Sequence, residues 1–252
     1  MQSTATQPAV TAADIAHLPS PAQRYLEFTG VLDRPLDVGF EAHLNGWRRQ
    51  RPDQHWTPCR THQRSSAEDL SRVVENKVGR LVQTTDVLRG GHVERRSTAL
   101  RVFTVARESG PEHEANELVA FLCDAVLLAP SMLLSLDVLW KPVSDEAFDL
   151  VLAGGGRSVR ARVVVDERGA VREFTSNDRC AELPEGLVRT RWSAAVDDGW
   201  FLDSDRMRPR RVLSVWHLPT GEFAHAHYDL TRCEVVCATG EGRRIPRPRV
   251  GD

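Results

Sequence analysis

Histidine, carboxylate and aromatic side chains are concentrated in one stretch of the chain, Arg210–Val236. His225, His227 and Asp229 stand two residues apart there, and alternate side chains of a β-strand point to the same face. Imidazole and carboxylate groups in this arrangement are ligands for Zn²⁺ or a similar metal. Ordinary polar alternation on a solvated outer face explains the same pattern. We therefore predict no metal, and keep these three residues as the alternative.

A second group of ionisable residues, Glu117 and Asp124, lies on a predicted helix. Because they are seven residues apart, they share nearly the same side of the helix, next to its apolar stripe. Burial over a cavity would raise the pKa of each carboxyl group, and such groups serve as general bases and acids. In an arginine-rich chain the pair can equally be a salt-bridged helix edge. We predict both as catalytic residues.

Tyr228 and His225 are the candidate proton donors and acceptors of the last long strand. Regular alternation places Tyr228 on the face of Ala224 and Ala226, and His225 on the opposite face. Because only one face of a strand lines a cavity, we expect only one of the two to act. Aromatic walls and small side chains would shape the binding site. The predicted substrate-binding residues are Trp192, Trp216, Trp140, Ala224, Ala226 and Phe121.

The elements that must position these residues are mostly β-strands. Two alternating runs meet at Pro219-Thr220-Gly221, which predicts a hairpin because proline presets φ and glycine tolerates positive φ. Alternating runs of roughly six to twelve residues fill most of the chain, and their close spacing requires antiparallel pairing. A flat sheet of this length would expose a large apolar face. The pattern predicts an α+β protein with a single highly curved antiparallel β-sheet, a half-barrel or barrel.

Two helices interrupt the strands. Ser20 and Pro21 predict a short N-terminal helix that ends at Gly30, since serine caps helix starts and proline suits the first turn. Pro111 opens a central helix with an acidic first turn, and Pro130 closes it. We expect this central helix to cap the cavity of the curved sheet.

Composition excludes several classes of protein. A net charge of −2 argues against a nucleic-acid binder, and no stretch approaches the ~20 apolar residues of a membrane span. The five cysteines are scattered, and Met1–Pro19 has no basic start followed by an apolar run. Both features indicate a cytoplasmic protein with reduced thiols. We expect one domain over residues 18–237, with flexible termini at 1–17 and 238–252.

Three segments carry a resemblance to a known family: Leu18-Pro19-x-Pro21 running into Arg24-Tyr25-Leu26, Ser109-Gly110-Pro111-Glu112 running into Glu117-Leu118, and Trp216-His217-Leu218-Pro219-x-Gly221-Glu222-Phe223. They resemble the opening, the central helix and the closing hairpin of the bacterial domain of unknown function 6544. The resemblance implies a strongly curved antiparallel sheet with helices in its mouth, as in bacterial lipoprotein carriers. It implies no known chemistry. The chain departs from the family where Leu127-Leu128-Ala129 and Ala224-His225-Ala226-His227 replace aromatic residues, which would widen a cavity.

No phosphate loop, nucleophile motif or cofactor motif is visible in the sequence, so we predict no cofactor. We predict a cofactor-independent enzyme, a cyclase or isomerase in specialised-metabolite biosynthesis, acting on a small organic substrate in the sheet cavity. Orientation and proton transfer would supply the rate. The alternative is a non-catalytic carrier or binding protein for a lipid-like or apolar metabolite. The oligomeric state is left open, and both homo-oligomers and hetero-oligomers are compatible with the sequence.

Overall fold

The protein consists mainly of β-strands. The computed structural model describes residues 9–99, 103–184, 186–238 and 249–251, with residues 99 and 103–108 described by their backbone alone. Before the central helix the strands are β1 (Asp37–Arg48), β2 (Thr57–Ser66), β3 (Ser71–Val78), β4 (Val82–Arg89), β5 (His92–Ala99) and β6 (Phe103–Glu108). After it they are β7 (Val138–Ser144), β8 (Ala147–Gly154), β9 (Arg157–Val165), β10 (Val171–Leu183), β11 (Gly186–Val196), β12 (Trp200–Asp203), β13 (Arg206–Pro209), β14 (Arg211–Leu218), β15 (Gly221–Cys237) and β16 (Arg249–Val250).

Fourteen of these described strands form one sheet, in the order β16-β7-β8-β9-β10-β11-β14-β15-β1-β2-β3-β4-β5-β6, while β12 pairs with β13. Neighbouring strands run antiparallel, apart from the short parallel pair of β16 and β7. β15 is 17 residues long and bonds β14 along one edge and β1 along the other. The predicted hairpin therefore joins the two halves of the sheet. The sheet curves into a half-barrel, which confirms the predicted fold class.

The helices are α1 (Ala12–Ile15), α2 (Ser20–Phe28) and α3 (Pro111–Leu128), followed by a 3₁₀ helix at Pro130–Leu134. α2 and α3 confirm the predicted short N-terminal and central helices. α3 packs on β8, β9 and β10 from one half of the sheet and on β4 and β5 from the other. Its apolar residues lie on almost every side, which is typical of a buried helix. In the described part of the chain, no helix has the length and apolarity to cross a membrane.

The two halves of the sheet meet at two turns. Gly91, between β4 and β5, lies so close to Gly155, between β8 and β9, that a Cβ built on Gly91 would be 2.1 Å from the Cα of Gly155. Gly91 has φ +87° and Gly155 has φ +58°, in the left-handed region that favours glycine. Curvature therefore brings strands far apart in the sheet order into contact, and α3 fills the space between them.

The N-terminal segment that we expected to be flexible is partly packed. Val10 and Ile15 are buried, because their apolar side chains join the hydrophobic core. That boundary was therefore placed too far along the chain. Residues 1–8 and 239–248, also expected to be flexible, lie outside the described residues. The assignment of residues 18–237 to a single domain stays a prediction.

Candidate functional site

A cavity of about 310 Å³ lies between α3 and the concave face of the sheet. This volume is at the lower end of the range of small-molecule sites, roughly 300–1,000 Å³. All four predicted catalytic residues line it: Tyr228, His225, Glu117 and Asp124. The other lining residues are Leu44, Arg48, Gln50, Thr61, Gln63, Arg72, Val74, Asn76, Thr84, Asp86, Arg95, Ser97, Ala120, Cys123, Leu127, Leu128, Arg179, Glu182, Trp192, Ala194, Pro209, Val212, Ser214 and Leu230.

A β-bulge in β15 brings His225 and Tyr228 into the same cavity. Opposite β14, Ala224 pairs with Val215 and Ala226 pairs with Ser214, so His225 is one extra residue in β15. An extra residue interrupts the alternation of side chains. Our expectation that only one of His225 and Tyr228 can face inward was therefore wrong, because both line the cavity.

His225 belongs to a hydrogen-bonded group on three neighbouring strands. The Trp192 indole Nε1 donates to Ser214 Oγ at 2.8 Å, and Ser214 Oγ lies 2.7 Å from His225 Nε2. Since the serine oxygen accepts from Trp192, its hydroxyl proton can point to His225 Nε2. Burial lowers the pKa of His225 well below its ordinary value, and the charges of Arg48 and Arg179 lower it further. His225 is therefore a neutral imidazole with Nε2 as acceptor.

Tyr228 supplies a second polar group to this wall. Burial raises the pKa of Tyr228 above its ordinary value, so its hydroxyl group stays protonated at neutral pH. Tyr228 is partly buried and lines the cavity three residues after His225. The arrangement offers a neutral base and a hydroxyl donor next to one another along β15.

The opposite wall holds an ionic network. Arg72 donates from Nη1 to Glu117 Oε2 at 2.5 Å and from Nε to Asp124 Oδ2 at 2.7 Å. Arg95 donates from Nε to Asp86 Oδ1 at 2.6 Å. Glu117 and Asp124 thus lie at the cavity as we proposed, and they also form the salt-bridged helix edge that was the alternative. Their hydrogen bonds to Arg72 tie α3 to β3.

Arg179 differs from the arginines of the ionic network. Its guanidinium carbon lies 4.2 Å from the ring centroid of Trp192 and 5.3 Å from that of Trp216. A cation over an indole face is attracted by the negative face of the ring. The His225 ring also stacks on Trp216, at 5.5 Å between centroids. Arg179, the two indoles and His225 therefore form one row across β10, β11, β14 and β15.

The remaining predicted substrate-binding residues do not line the cavity. Trp140 and Phe121 are fully buried in the hydrophobic core, and Trp140 stacks on Phe148. Ala226 is buried at the bulge, and the carbonyl group of Ala224 accepts a hydrogen bond from Arg49 Nε. Trp216 belongs to the row with Arg179 and His225 but is not a lining residue of the cavity. Among the six, Trp192 alone is a lining residue.

The alternative metal site is not formed, because its three side chains separate. His225 faces the cavity, the His227 ring packs against Trp56, and Asp229 binds Arg211 at 2.7 Å. The cluster with metal-ligand geometry among the described residues lies elsewhere, at Glu41, His43 and His62. These residues stand on β1 and β2 and do not line the cavity.

Sequence reasoning missed Ser214 and Arg179. Ser214 alternates with Trp216 on β14, so the hairpin pattern contained a weak signal for it. Arg179 is one of many arginines in the chain, and its spacing in β10 does not distinguish it. The partners that make these two residues notable lie on other strands.

Comparison with known protein families identifies the family of this chain. A model described as "Family of unknown function (DUF6544)" matches residues 8–228. The chain belongs to the DUF6544 family. The three segments that resemble this family lie within the match, so the resemblance is confirmed.

No curated protein matches the sequence. Among solved structures, a DUF1329 family protein from Desulfovibrio piger is similar, with 12% sequence identity and a TM-score of 0.36. The comparison covers 94% of this DUF6544 chain and 96% of that chain. We therefore base the proposed function on the geometry of the cavity and not on these comparisons.

Proposed function

We propose that the protein binds a small organic molecule in the cavity and converts it without a cofactor, as a cyclase or isomerase. The observation that carries this proposal is the neutral His225, with its Nε2 atom 2.7 Å from Ser214 Oγ in the cavity wall. A base must be unprotonated to accept a proton, and burial keeps this imidazole so. Tyr228 lies in the same wall and carries a hydroxyl proton.

In this reaction the Ser214 hydroxyl oxygen, which lines the cavity, takes a proton from a carbon atom of the bound molecule while its own proton passes to His225 Nε2. The electron pair of the broken C–H bond shifts along the molecule. A proton returns at another carbon, either from His225 through Ser214 or from Tyr228, which then regains a proton from solvent as His225 releases its own. The product is an isomer or a ring of unchanged composition. Proton transfer by a positioned side chain contributes typically ~10²–10⁴-fold to a rate, and a fixed substrate geometry adds to it.

Glu117 and Asp124 take a supporting part in the proposal. Both carboxylates bond to Arg72, so accepting a proton would weaken these hydrogen bonds. We propose that they hold α3 against the sheet and set the shape of the cavity. The five described cysteines are unpaired, which supports a reducing compartment such as the cytoplasm.

The test incubates the protein in D₂O with a small-molecule extract of its source organism and follows the compounds by chromatography and mass spectrometry. Proton transfer to carbon gives a product with a new retention time and an added deuterium. We expect His225→Gln to slow its formation by about 10²–10⁴-fold and Tyr228→Phe to slow it less. His217→Gln is the matched control, since His217 lies in the same hairpin and outside the cavity lining.

Two results would count against the enzyme. One is the absence of any converted compound with the wild-type protein. The other is a conversion that His225→Gln and Tyr228→Phe leave at the wild-type rate, which would remove proton transfer by these residues.

A carrier for an apolar metabolite is the second candidate function. The aliphatic part of the cavity lining supports it: Leu44, Leu127, Leu128, Val212 and Leu230. Native mass spectrometry of freshly purified protein distinguishes the two. A lipid-length adduct that survives purification and is released unchanged supports the carrier, whereas a converted compound supports the enzyme.

A further inference from the structure

The guanidinium group of Arg179 belongs to the cavity lining. Its Nε atom is buried and has no hydrogen-bond partner among the described residues. No ion pair joins Arg179 to a carboxylate in the described part of the chain. Arg72 and Arg95, which line the same cavity, each donate to carboxylates at 2.5–2.8 Å. Arg48, the fourth lining arginine, also has no ion pair among the described residues, and Arg179 is the one of the four whose guanidinium group lies over indole rings.

Glu117, the carboxylate with the largest electrostatic effect on Arg179, does not complete the site. Glu117 raises the proton affinity of Arg179 through its charge, but Glu117 Oε2 binds Arg72 and Oε1 lies 3.9 Å from Arg95. Burial and the other two arginines act in the opposite direction and lower the pKa of Arg179 to about 10. A buried cation with unmet hydrogen bonds is costly unless an anion joins it.

We propose that Arg179 binds the carboxylate group of a small organic acid, whose apolar body extends along the indoles toward His225. The planar guanidinium fork matches a carboxylate with two parallel hydrogen bonds, and stacking on Trp192 and Trp216 holds the fork in place. This proposal rests on the proposed function only where it identifies the bound acid as the substrate of the reaction. Anion binding itself needs no catalytic step.

The charges of the lining favour one negative charge on the ligand. The described lining contains four arginines and four carboxylates, so it is balanced before a ligand enters. A carboxylate adds one negative charge beside Arg179, whereas a phosphate dianion adds two and meets the repulsion of the carboxylates on the opposite wall. The charge balance of the cavity therefore favours a monoanion, such as a monocarboxylic acid, over a dianion.

The acid also reaches the proposed base. Arg179 stacks on Trp192, and the Trp192 Nε1 atom lies 3.4 Å from His225 Nε2. Because of the bulge, His225 and Tyr228 both line the cavity that contains the anion subsite. A carbon near the carboxylate thus comes close to the imidazole. The Arg179 cation that holds the carboxylate also stabilises negative charge that develops on the neighbouring carbon skeleton.

Calorimetric binding of 2-naphthoate and its neutral isostere 2-naphthamide tests the proposal. We expect the wild-type protein to bind the acid at least about tenfold more tightly than the amide, as charged hydrogen bonds do. Arg179→Met keeps the stem over the indoles and should abolish the preference, while Arg179→Lys keeps part of it. Arg232→Met removes the same charge from an exposed ion pair with Glu234 and should leave the preference intact. Equal binding of both compounds by wild type, an unchanged preference in Arg179→Met, or binding of neither at millimolar concentration contradicts the proposal.

Thermal unfolding without ligand gives a second measurement. We expect Arg179→Met to unfold at a higher temperature than wild type, because an uncompensated cation has left the cavity wall. A lowered unfolding temperature would mean that Arg179 stabilises the fold, and this result would overturn the proposal. His225→Gln separates the two proposals: if it keeps the naphthoate preference and no compound is converted by wild type, the anion subsite stands and the proposed reaction fails.

Discussion

His225 combines three features: it is the extra residue of a bulge, it accepts a hydrogen bond from a serine hydroxyl group, and it lines a cavity. Burial and two arginines lower its pKa, so the imidazole is neutral at physiological pH. Arg179 lies in the same row of side chains and stays charged. The same row of side chains therefore holds a neutral imidazole and a cation, the two groups on which the proposals above rest.

The lowered pKa of His225 predicts how stability depends on pH. In the unfolded chain this histidine binds a proton below its ordinary pKa of about 6.5, whereas in the folded protein it binds one only at lower pH. Between the two values the unfolded state holds more protons, so stability falls as the pH is lowered. The loss is at most about 1.4 kcal/mol per pH unit below pH ~6.5, and His225→Gln should lack it.

Urea unfolding of wild type and His225→Gln between about pH 8 and pH 5 measures this effect. The stability of wild type relative to the variant should decrease on acidification. A difference that does not change with pH would mean that the proton affinity of His225 is the same in the folded and unfolded states.

At the scale of elements, Arg72 is the connection between β3 and α3. Its side chain is 10% exposed, and those of Glu117 and Asp124 are 5% and 19% exposed, so solvent screens their pairing little. The three residues also form one wall of the cavity. The position of α3 over the concave face therefore sets both the packing of the core and the shape of the site.

Removing Arg72 tests this connection. Arg72→Met leaves two carboxylates near the core without their partner, and we expect it to cost about 3–5 kcal/mol of unfolding free energy. Arg232→Met, in an exposed pair with Glu234, should cost much less, because solvent screens that pair. Urea denaturation compares them, and adding Glu117→Gln with Asp124→Asn to Arg72→Met should restore part of the loss. Equal costs of the two arginine variants would refute the connection.

At the scale of the whole molecule, curvature of the sheet encloses the site. The turn at Gly90-Gly91 and the turn at Gly154-Gly155-Gly156 belong to different halves of the sheet and touch each other. α3 then lies in a closed groove instead of on an open face. Contact between the two turns explains why the cavity has walls from both halves.

Two neighbouring glycines provide a matched test of this contact. A Cβ on Gly91 would lie 2.1 Å from Gly155 Cα, whereas a Cβ on Gly90 meets nothing within 4 Å, and both residues have positive φ. We expect Gly90→Ala to cost only the strain of the left-handed backbone, about 1–2 kcal/mol. Gly91→Ala should cost about 1–3 kcal/mol more, because the sheet halves must separate. Thermal unfolding of both variants decides it, and equal unfolding temperatures would show that the contact is not required.

The sequence by itself determined the class of fold, since alternation of side chains, turn residues and helix capping are local properties of the backbone. The hairpin at Pro219-Thr220-Gly221 and the helix opened by Pro111 were readable for that reason. The sequence also selected His225 and Tyr228, because ionisable and aromatic side chains on a strand of small residues are conspicuous. Flexibility of the N-terminal segment was predicted from its small polar residues, and the burial of Val10 and Ile15 limits that prediction.

Only the tertiary structure decided which side chains meet. The bulge at His225 arises from pairing between β14 and β15, so regular alternation assigned His225 and Tyr228 to opposite faces. Arg72 and Glu117 are 45 residues apart in sequence, and no local pattern couples them. Arg179 is distinguished by the two indole rings beside its guanidinium group, which come from β11 and β14. Pairing, burial and unmet hydrogen bonds are properties of surroundings drawn from distant parts of the chain, and these emerge only when the sheet curves and closes around α3.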